Sequence, residues 1–334
     1  MTLNIGVIGV GRMGAHHAQN IAGRVKGARL VAIADVARAR VAELSAEWGV
    51  DGYADFRELI ADPKVEAVVI VGPTDQREAM LSAALASGKP VFCEKPIALQ
   101  WEAALRLRQA AAASKSPVQI GFMRRFDPGY AAARQKIAAG AIGRPVAVHA
   151  VSYDPRLAGY DYVAASGGLF VDLAIHDFDL VRFLMADEIA EVYAVGGVYK
   201  YERLNEWRDV DNGLATLKFA GGGFGTVSGS RNAVYGYDIR TEVLGTEGAI
   251  RIGYERQTPV LLLQEGGGRH DFVPFFLERF RDAYELELQA FVDAVAAGRT
   301  PAVGVEDGVR ALAVALAADA SQKSGRPVPV KYGT

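Results

Sequence analysis

Apolar positions in the first third of the chain fall into short continuous runs separated by stretches of helical periodicity. Ile5, Val7 and Ile8 open a buried strand, and Arg29-Leu30-Val31-Ala32-Ile33-Ala34 forms a second that ends at Asp35. Helical signals cover Ala37 to Trp48, closed by Gly49, and Asp55 to Ile60, a short capped segment stopped by Asp62-Pro63. Ala67-Val68-Val69-Ile70-Val71 is apolar throughout, the pattern of a strand covered on both faces. A helix over Gln76 to Ser87 ends at Gly88, Val91-Phe92-Cys93 gives a fifth strand, Trp101 to Ala113 a helix, and Val118 to Gly121 a sixth strand. This alternation predicts an α/β, doubly wound parallel sheet of the Rossmann type, with helices on both faces.

Beyond residue 122 the rhythm changes. Helices are predicted over Pro128 to Ala139 and, as one continuous element, Gly167 to Met185, with an alternating strand over Pro145 to Tyr153 between them. Strand signals then follow one another at Ile189–Val198, Asn212–Phe219, Phe224–Ser230, Tyr237–Leu244 and Ala249–Ile252, joined by turns such as Gly221-Gly222-Gly223 and Gly245-Thr246-Glu247-Gly248. Consecutive strands with glycine-rich turns imply a mostly antiparallel sheet. Two last helices, Phe280–Ala297 and Glu306–Ser324, are expected to pack back on the first domain. The expected organisation is a nucleotide-binding domain over 1–122 and an α+β domain over 123–334.

The turn after the first strand reads Gly9-Val10-Gly11-Arg12-Met13-Gly14. Gly9 permits the tight turn, Gly11 lets the backbone approach a pyrophosphate, and Gly14 lets helix and strand close on each other. The phosphates would rest on N–H groups at the positive end of the helix. Asp35, about twenty residues on, stands where a carboxylate grips ribose hydroxyls and repels a 2′-phosphate. Val36 and Ala37 supply no cation against that repulsion, and Arg38 and Arg40 are expected to be solvated helix residues. NAD is therefore the expected cofactor.

The formal net charge of −2 over 334 residues offers no attraction for nucleic acid or an anionic membrane. A single cysteine, Cys93, excludes an internal disulfide and a cysteine-rich zinc site. A core strand begins at Leu3 and the apolar run Val309 to Ala320 is too short to span a bilayer, so a cytoplasmic protein is expected.

Oxidising a hydroxyl releases a proton and builds alkoxide character, so a hydride-transfer enzyme needs a base and a cation. Lys95, in Cys93-Glu94-Lys95-Pro96, stands at the carboxyl end of the fifth strand, where open α/β sheets bind ligands. Asp172 and His176, four apart in a predicted helix, would share one helical face. His16 and His17 are expected to serve packing or face solvent, His149 lies in a strand, and His270 follows a glycine-rich turn. No close-spaced histidine set suggests a metal.

These motifs carry a resemblance that covers essentially the whole chain. The glycine turn, Glu94-Lys95-Pro96 and Gly168-Leu169-Phe170-Val171-Asp172-Leu173-Ala174-Ile175-His176-Asp177 resemble the glucose–fructose oxidoreductase/inositol dehydrogenase (Gfo/Idh/MocA) superfamily. Gln119 to Asp127, Tyr153-Asp154-Pro155 and Tyr235-Gly236-Tyr237-Asp238 resemble its bacterial inositol 2-dehydrogenases. The resemblance implies NAD, a catalytic set of Lys95, Asp172 and His176 with His176 as acid/base, and a homotetramer joined through the second domain's sheet. It makes Arg124, Asp154 and Tyr235, beside the catalytic set, candidates for holding ring hydroxyls. The candidate cofactor contacts are Gly9, Gly11, Arg12, Met13, Gly14, Asp35, Val36, Pro73, Thr74, Glu94 and Lys95. Three places depart from the pattern: Tyr153, where an arginine is common; Leu157 to Tyr162, where a proline-rich loop is common; and Arg77, where a histidine is common.

The implied substrate is a small cyclic polyol or sugar. The leading expectation is oxidation of myo-inositol to its 2-keto product, with scyllo-inositol or a pyranose sugar as the rival. A non-catalytic dinucleotide sensor is the alternative from another class.

Overall fold

The computed structural model describes residues 2–253 and 257–333. In chain order the elements are β1 (Leu3–Ile8), α1 (Arg12–Gly23), β2 (Ala28–Ala34), α2 (Arg38–Trp48), β3 (Asp51–Tyr53), α3 (Phe56–Ala61), β4 (Ala67–Ile70), α4 (Arg77–Ser87), β5 (Val91–Glu94), α5 (Trp101–Ala113) and β6 (Val118–Gly121). There follow α6 (Pro128–Ala138), β7 (Pro145–Tyr153), α7 (Tyr160–Ala164), α8 (Gly168–Asp172), α9 (Ile175–Met185), β8 (Ile189–Gly197), β9 (Asn212–Phe219), β10 (Phe224–Ser230), β11 (Asp238–Gly245) and β12 (Ala249–Gly253). The chain closes with β13 (Leu262–Gln264), β14 (Gly267–Arg269), α10 (Phe276–Arg279), α11 (Arg281–Ala296), α12 (Val305–Ser324) and β15 (Val328–Pro329). Two compact units result: Met1–Phe126 with Asp282–Leu312, and Asp127–Arg281 with Ala313–Thr334.

The first unit is built on a six-stranded sheet of order β3-β2-β1-β4-β5-β6, parallel in every pairing. Strands β4, β5 and β6 are buried at every residue because helices cover both faces, which is why they read as unbroken apolar runs. The order reverses between β1 and β4, the switch point at which such sheets open a ligand crevice beyond their carboxyl ends. Helix ends follow local chemistry: Asp55 caps α3 by accepting the Arg57 N–H at 2.9 Å, and Gly49 and Gly88 end α2 and α4 in the left-handed region. One core cluster joins Ile5, Val7, Ile33, Val69 and Phe92 of the strands to Ile21 of α1 and to Leu288, Phe291 and Val292 of α11. The rings of Phe92 and Phe291 meet edge to face, centroids 6.1 Å apart. Strand β3 has no apolar run to announce it and is held through its pairing with β2.

The second unit carries a seven-stranded sheet of order β12-β11-β7-β10-β9-β8-β15, antiparallel except for the parallel pair β7–β10. Alternation along β9 buries Gly213, Ala215, Leu217 and Phe219 and turns Leu214, Thr216 and Lys218 outward. Gly213 and Gly229 stand opposite each other on β9 and β10, and their missing side chains make a flat bed for α8. A Cβ on Gly213 would come within 2.9 Å of both Leu169 and Phe170, and one on Gly229 within 3.3 Å of Leu173.

The single helix expected over Gly167 to Met185 is two. The N–H groups of both Leu173 and Ala174 bond the Leu169 carbonyl, at 3.0 Å each, so the chain widens by one residue after Asp172 before α9 begins. Asp172 and His176 therefore do not share the face of one regular helix. They flank a turn, and each is placed by its own element. Among the described residues, no helix is long and apolar enough to cross a membrane.

Candidate active site

The glycine turn lies between β1 and α1. Gly9 has φ 86°, and its N–H bonds the Ala34 carbonyl at 2.7 Å, tying the turn to the end of β2. A Cβ on Gly9 would sit 2.6 Å from the Gly72 nitrogen, and one on Gly14 1.7 Å from the Gly9 oxygen, so neither position admits a side chain. Gly11 instead faces open space, with nothing within 4 Å, and no side chain caps the helix that starts after it. That is the cradle a pyrophosphate needs: an uncapped helix N-terminus with room beside it.

Asp35 closes one side of this cradle. Its carboxylate accepts the N–H of Val10 at 2.8 Å and that of Ala37 at 2.9 Å, one on each oxygen, leaving each oxygen further acceptor capacity. Val36 beside it is exposed. Pro73 and Thr74 begin the short 3₁₀ turn after β4. The glycine turn and Asp35 thus fit the pyrophosphate and ribose of a dinucleotide.

Arg77 is buried, and its guanidinium donates to the Gly72 carbonyl at 2.8 Å and to the Pro96 carbonyl. It locks the loop after β4 to the loop after β5, a role that its position in the sequence did not reveal. Glu94 departs from expectation. Its carboxylate turns inward, Oε1 lying 2.8 Å from His17 Nε2 and Oε2 accepting the Lys95 N–H at 3.1 Å. The side chain is committed to the interior, and any approach of Glu94 to a cofactor falls to its main chain. Lys95 follows it, half-buried at the carboxyl end of β5. Arg124 is buried on the 3₁₀ turn after β6, where its neighbour Arg125 pairs with Asp307 at 2.7 Å.

In the second unit, candidate residues gather at one end of the sheet. Parallel β7 and β10 finish side by side, with Tyr153 opposite Ser230, and β11 starts there with Asp238 opposite Tyr153. Asp154 follows β7 directly; its N–H bonds Ser230 and its carbonyl accepts the Ala233 N–H. Tyr235 donates its hydroxyl to Asp238 at 2.8 Å, and Asp238 is also gripped by Arg240. Burial, with the bond to Asp238 adding to it, pushes the Tyr235 hydroxyl up to about 12, so it stays a donor at neutral pH.

Asp172 is anchored from two sides. Tyr162, on α7, donates to its Oδ1 at 2.8 Å, and the buried Arg231 guanidinium lies 3.9 Å from its Oδ2. Arg231 is itself held by Asp209 at 2.6 Å, and Asp209 accepts the Leu169 N–H at 2.8 Å, at the start of α8. A Cβ on Gly168 would sit 2.8 Å from that same Asp209 carboxylate. One buried ion pair therefore clamps the first turn of the helix that carries Asp172. Tyr162 closes the Leu157 to Tyr162 departure, whereas Arg231, four residues before Tyr235-Gly236-Tyr237-Asp238, and Asp209 carry no local signal in the sequence.

Three of the other histidines fall as follows. His17 is fully buried, and His16 is held by burial, then by its neighbours His17 and Arg24, at about 4. His149 is exposed on its strand with Nδ1 2.9 Å from the Thr226 hydroxyl.

Comparison with known proteins places these two units. Residues 3–122 match the oxidoreductase family's NAD-binding Rossmann fold, and residues 134–330 match the same family's C-terminal alpha/beta domain. A scyllo-inositol 2-dehydrogenase (NAD(+)) of Bacillus subtilis is 39% identical over 323 residues, 96% of this chain and 94% of the relative. A myo-inositol 2-dehydrogenase of Thermotoga maritima is also 39% identical, over 98% of this chain and 99% of its own. The crystal structure of a scyllo-inositol dehydrogenase from Lactobacillus casei, with bound NAD(H) and scyllo-inositol, superposes with a TM-score of 0.94 at 34% identity, covering 99% of each chain. A family of oxidoreductases runs against the sensor reading. The chain belongs to the Gfo/Idh/MocA oxidoreductase family and is an NAD-binding oxidoreductase.

Proposed function

We propose that this protein oxidises one ring hydroxyl of an inositol, with myo-inositol going to 2-keto-myo-inositol as the leading reaction. The observation that carries the reading is Asp172 held by Tyr162 and Arg231, in a chain whose relatives at 39% identity are inositol 2-dehydrogenases. When bound, NAD supplies the hydride acceptor. His176 takes the hydroxyl proton, since imidazole is the side chain best matched to proton transfer near neutrality. Asp172, fixed by Tyr162 and Arg231, orients that imidazole or grips the adjacent hydroxyl. Lys95 stabilises the alkoxide as charge develops. Arg124, Asp154 and Tyr235 hold the other hydroxyls, Tyr235 as an acceptor, since its own proton goes to Asp238.

Scyllo-inositol is the second reading, and the Bacillus subtilis relative and the Lactobacillus casei structure favour it. The two isomers differ at one carbon, and oxidation there erases the difference, so both give the same ketone. What differs is which hydrogen departs: myo-inositol oxidised at its axial hydroxyl loses an equatorial hydrogen, scyllo-inositol an axial one. Discrimination therefore lies in ring tilt, set by residues that hold distant hydroxyls. The departures at Tyr153 and in the 157–162 loop, where Tyr162 already contacts Asp172, are the places to look.

We assign the exposed face of the second unit's sheet to contact between copies of this chain in a homotetramer. Tyr193, Val195, Leu214 and Phe224 are all exposed there, on adjoining strands, an apolar surface of the kind that marks association.

The test is NADH formation with myo-inositol, scyllo-inositol, D-glucose, L-glucose and D-xylose, each with NAD and with NADP. Turnover of an inositol with NAD is expected. A sugar turned over in preference to both inositols would move the substrate; silence across the panel would overturn the reading.

A further inference from the structure

Behind the strand end that carries Lys95 lies a closed group of three ionisable side chains that the reaction does not use. His17 of α1, Glu94 of β5 and Glu287 of α11 bring ligand atoms within 4.8 Å of one another, all inside the first unit. Their exposures are 0%, 7% and 0%. The His17 ring packs edge-on against Phe92 at 5.4 Å and Tyr284 at 5.8 Å, so the surroundings are aromatic. Glu94 has donors: His17 Nε2 at 2.8 Å and the Lys95 N–H at 3.1 Å. Glu287 has none: among the described residues, no group hydrogen-bonds either carboxylate oxygen. Its main chain is fixed nonetheless, since Gln119 donates to the Glu287 carbonyl at 2.7 Å.

A buried carboxylate without a donor is heavily penalised, and two carboxylates this close in an apolar site do not both ionise. We propose that Glu287 is a neutral carboxylic acid whose O–H donates to Glu94, so that the pair carries a single negative charge and Glu287 acts as a positioning residue for the Glu94–Lys95 strand end. Glu94 then has three donors, from α1, from its own strand and from α11.

The other charged groups agree with this division. Burial pushes Glu287 well above the carboxylate range, and the nearby Glu94 adds to it. Burial acts on Glu94 too, but the His17 hydrogen bond, with Lys95 and Arg77 nearby, outweighs it and holds Glu94 low. His16, next to His17 on α1, is kept neutral down to about 4, mainly by burial, and supplies no competing cation.

The sign of the linkage gives the experiment. The unfolded chain ionises Glu287 above about pH 4.3, whereas the folded chain keeps the proton, so native stability falls as pH rises beyond that point. E287Q keeps a neutral donor of the same shape and removes the penalty. Thermal unfolding of the full chain across pH 4 to 8 should show E287Q matching wild type near pH 4 and melting a few degrees higher at pH 7.5. The wild-type minus E287Q infrared difference spectrum at pH 7.5 should contain a protonated-carboxyl band. A melting temperature lowered by the same amount at every pH, or no such band, would overturn the neutral acid. Stabilisation of wild type but not of E287Q by added zinc would overturn it in favour of a metal site. The positioning role rests on the catalytic reading of Lys95 and is read separately: E287A should lose about tenfold or more in kcat with little change in KM, and E287Q should retain it. Unchanged kcat in E287A would overturn positioning while leaving Lys95 to be judged by its own substitution.

Discussion

At the scale of single residues, Asp35 holds the glycine turn through the Val10 N–H, and we propose that it also accepts the ribose hydroxyls. Hydrogen bonds to a charged acceptor contribute about 1.5–3 kcal/mol. Asp35→Ala should therefore lower kcat/KM for NAD by roughly tenfold or more, and the preference over NADP should shrink as the repulsion of a 2′-phosphate disappears. Steady-state kinetics with both cofactors checks this, and an unchanged NAD/NADP ratio would remove Asp35 from the ribose site. Residues of this kind were legible because their chemistry is local: Gly9, Gly14 and Asp35 announce themselves by spacing from a strand. Asp209 and Arg231 did not, because a salt bridge across 22 residues leaves no local pattern. Glu287 and Glu94 are further apart still, and only packing of α11 on the sheet brings them together.

Among elements, the parallel strands could be read directly, since burial on both faces demands continuous apolar runs. Short β3, with Asp51-Gly52-Tyr53, has no such demand and gives no signal. The break between α8 and α9 was hidden for another reason. Spacing of four implies one face only in a regular helix, and the regular ladder fails where the Leu169 carbonyl takes two N–H groups. What fixes α8 is the Asp209–Arg231 pair, whose side chains are 8% and 4% exposed. Removing one partner of such a pair strands the other's charge and costs about 3–5 kcal/mol. Arg231→Met should lose that much stability in urea unfolding, and the double change Asp209→Asn with Arg231→Met should recover most of it. The recovered protein should remain slow, because Asp172 has still lost its cation. Wild-type turnover in the double variant would show that Arg231 serves the fold alone.

For the molecule as a whole, the two-part plan follows from the change of rhythm after residue 122, but the division of its last third does not. Residues 282–312 complete the first unit because Leu288, Phe291 and Val292 face the core around Phe92, a contact between segments nearly two hundred residues apart in sequence. The two last helices are expected from the sequence to pack back on the first domain; what periodicity leaves out is that the division falls at residue 312, inside the second of them. The outward face of the second unit's sheet, with Tyr193, Val195, Leu214 and Phe224, is likewise invisible until the strand order sets these residues side by side.

We propose that His176 moves the proton during inositol oxidation. His176→Ala is the most direct test, with turnover followed as NADH formation and NAD binding followed by titration. A loss of roughly 10²–10⁴ in kcat, the range for general acid–base catalysis, is expected, with NAD affinity retained. Turnover within a few-fold of wild type would contradict it.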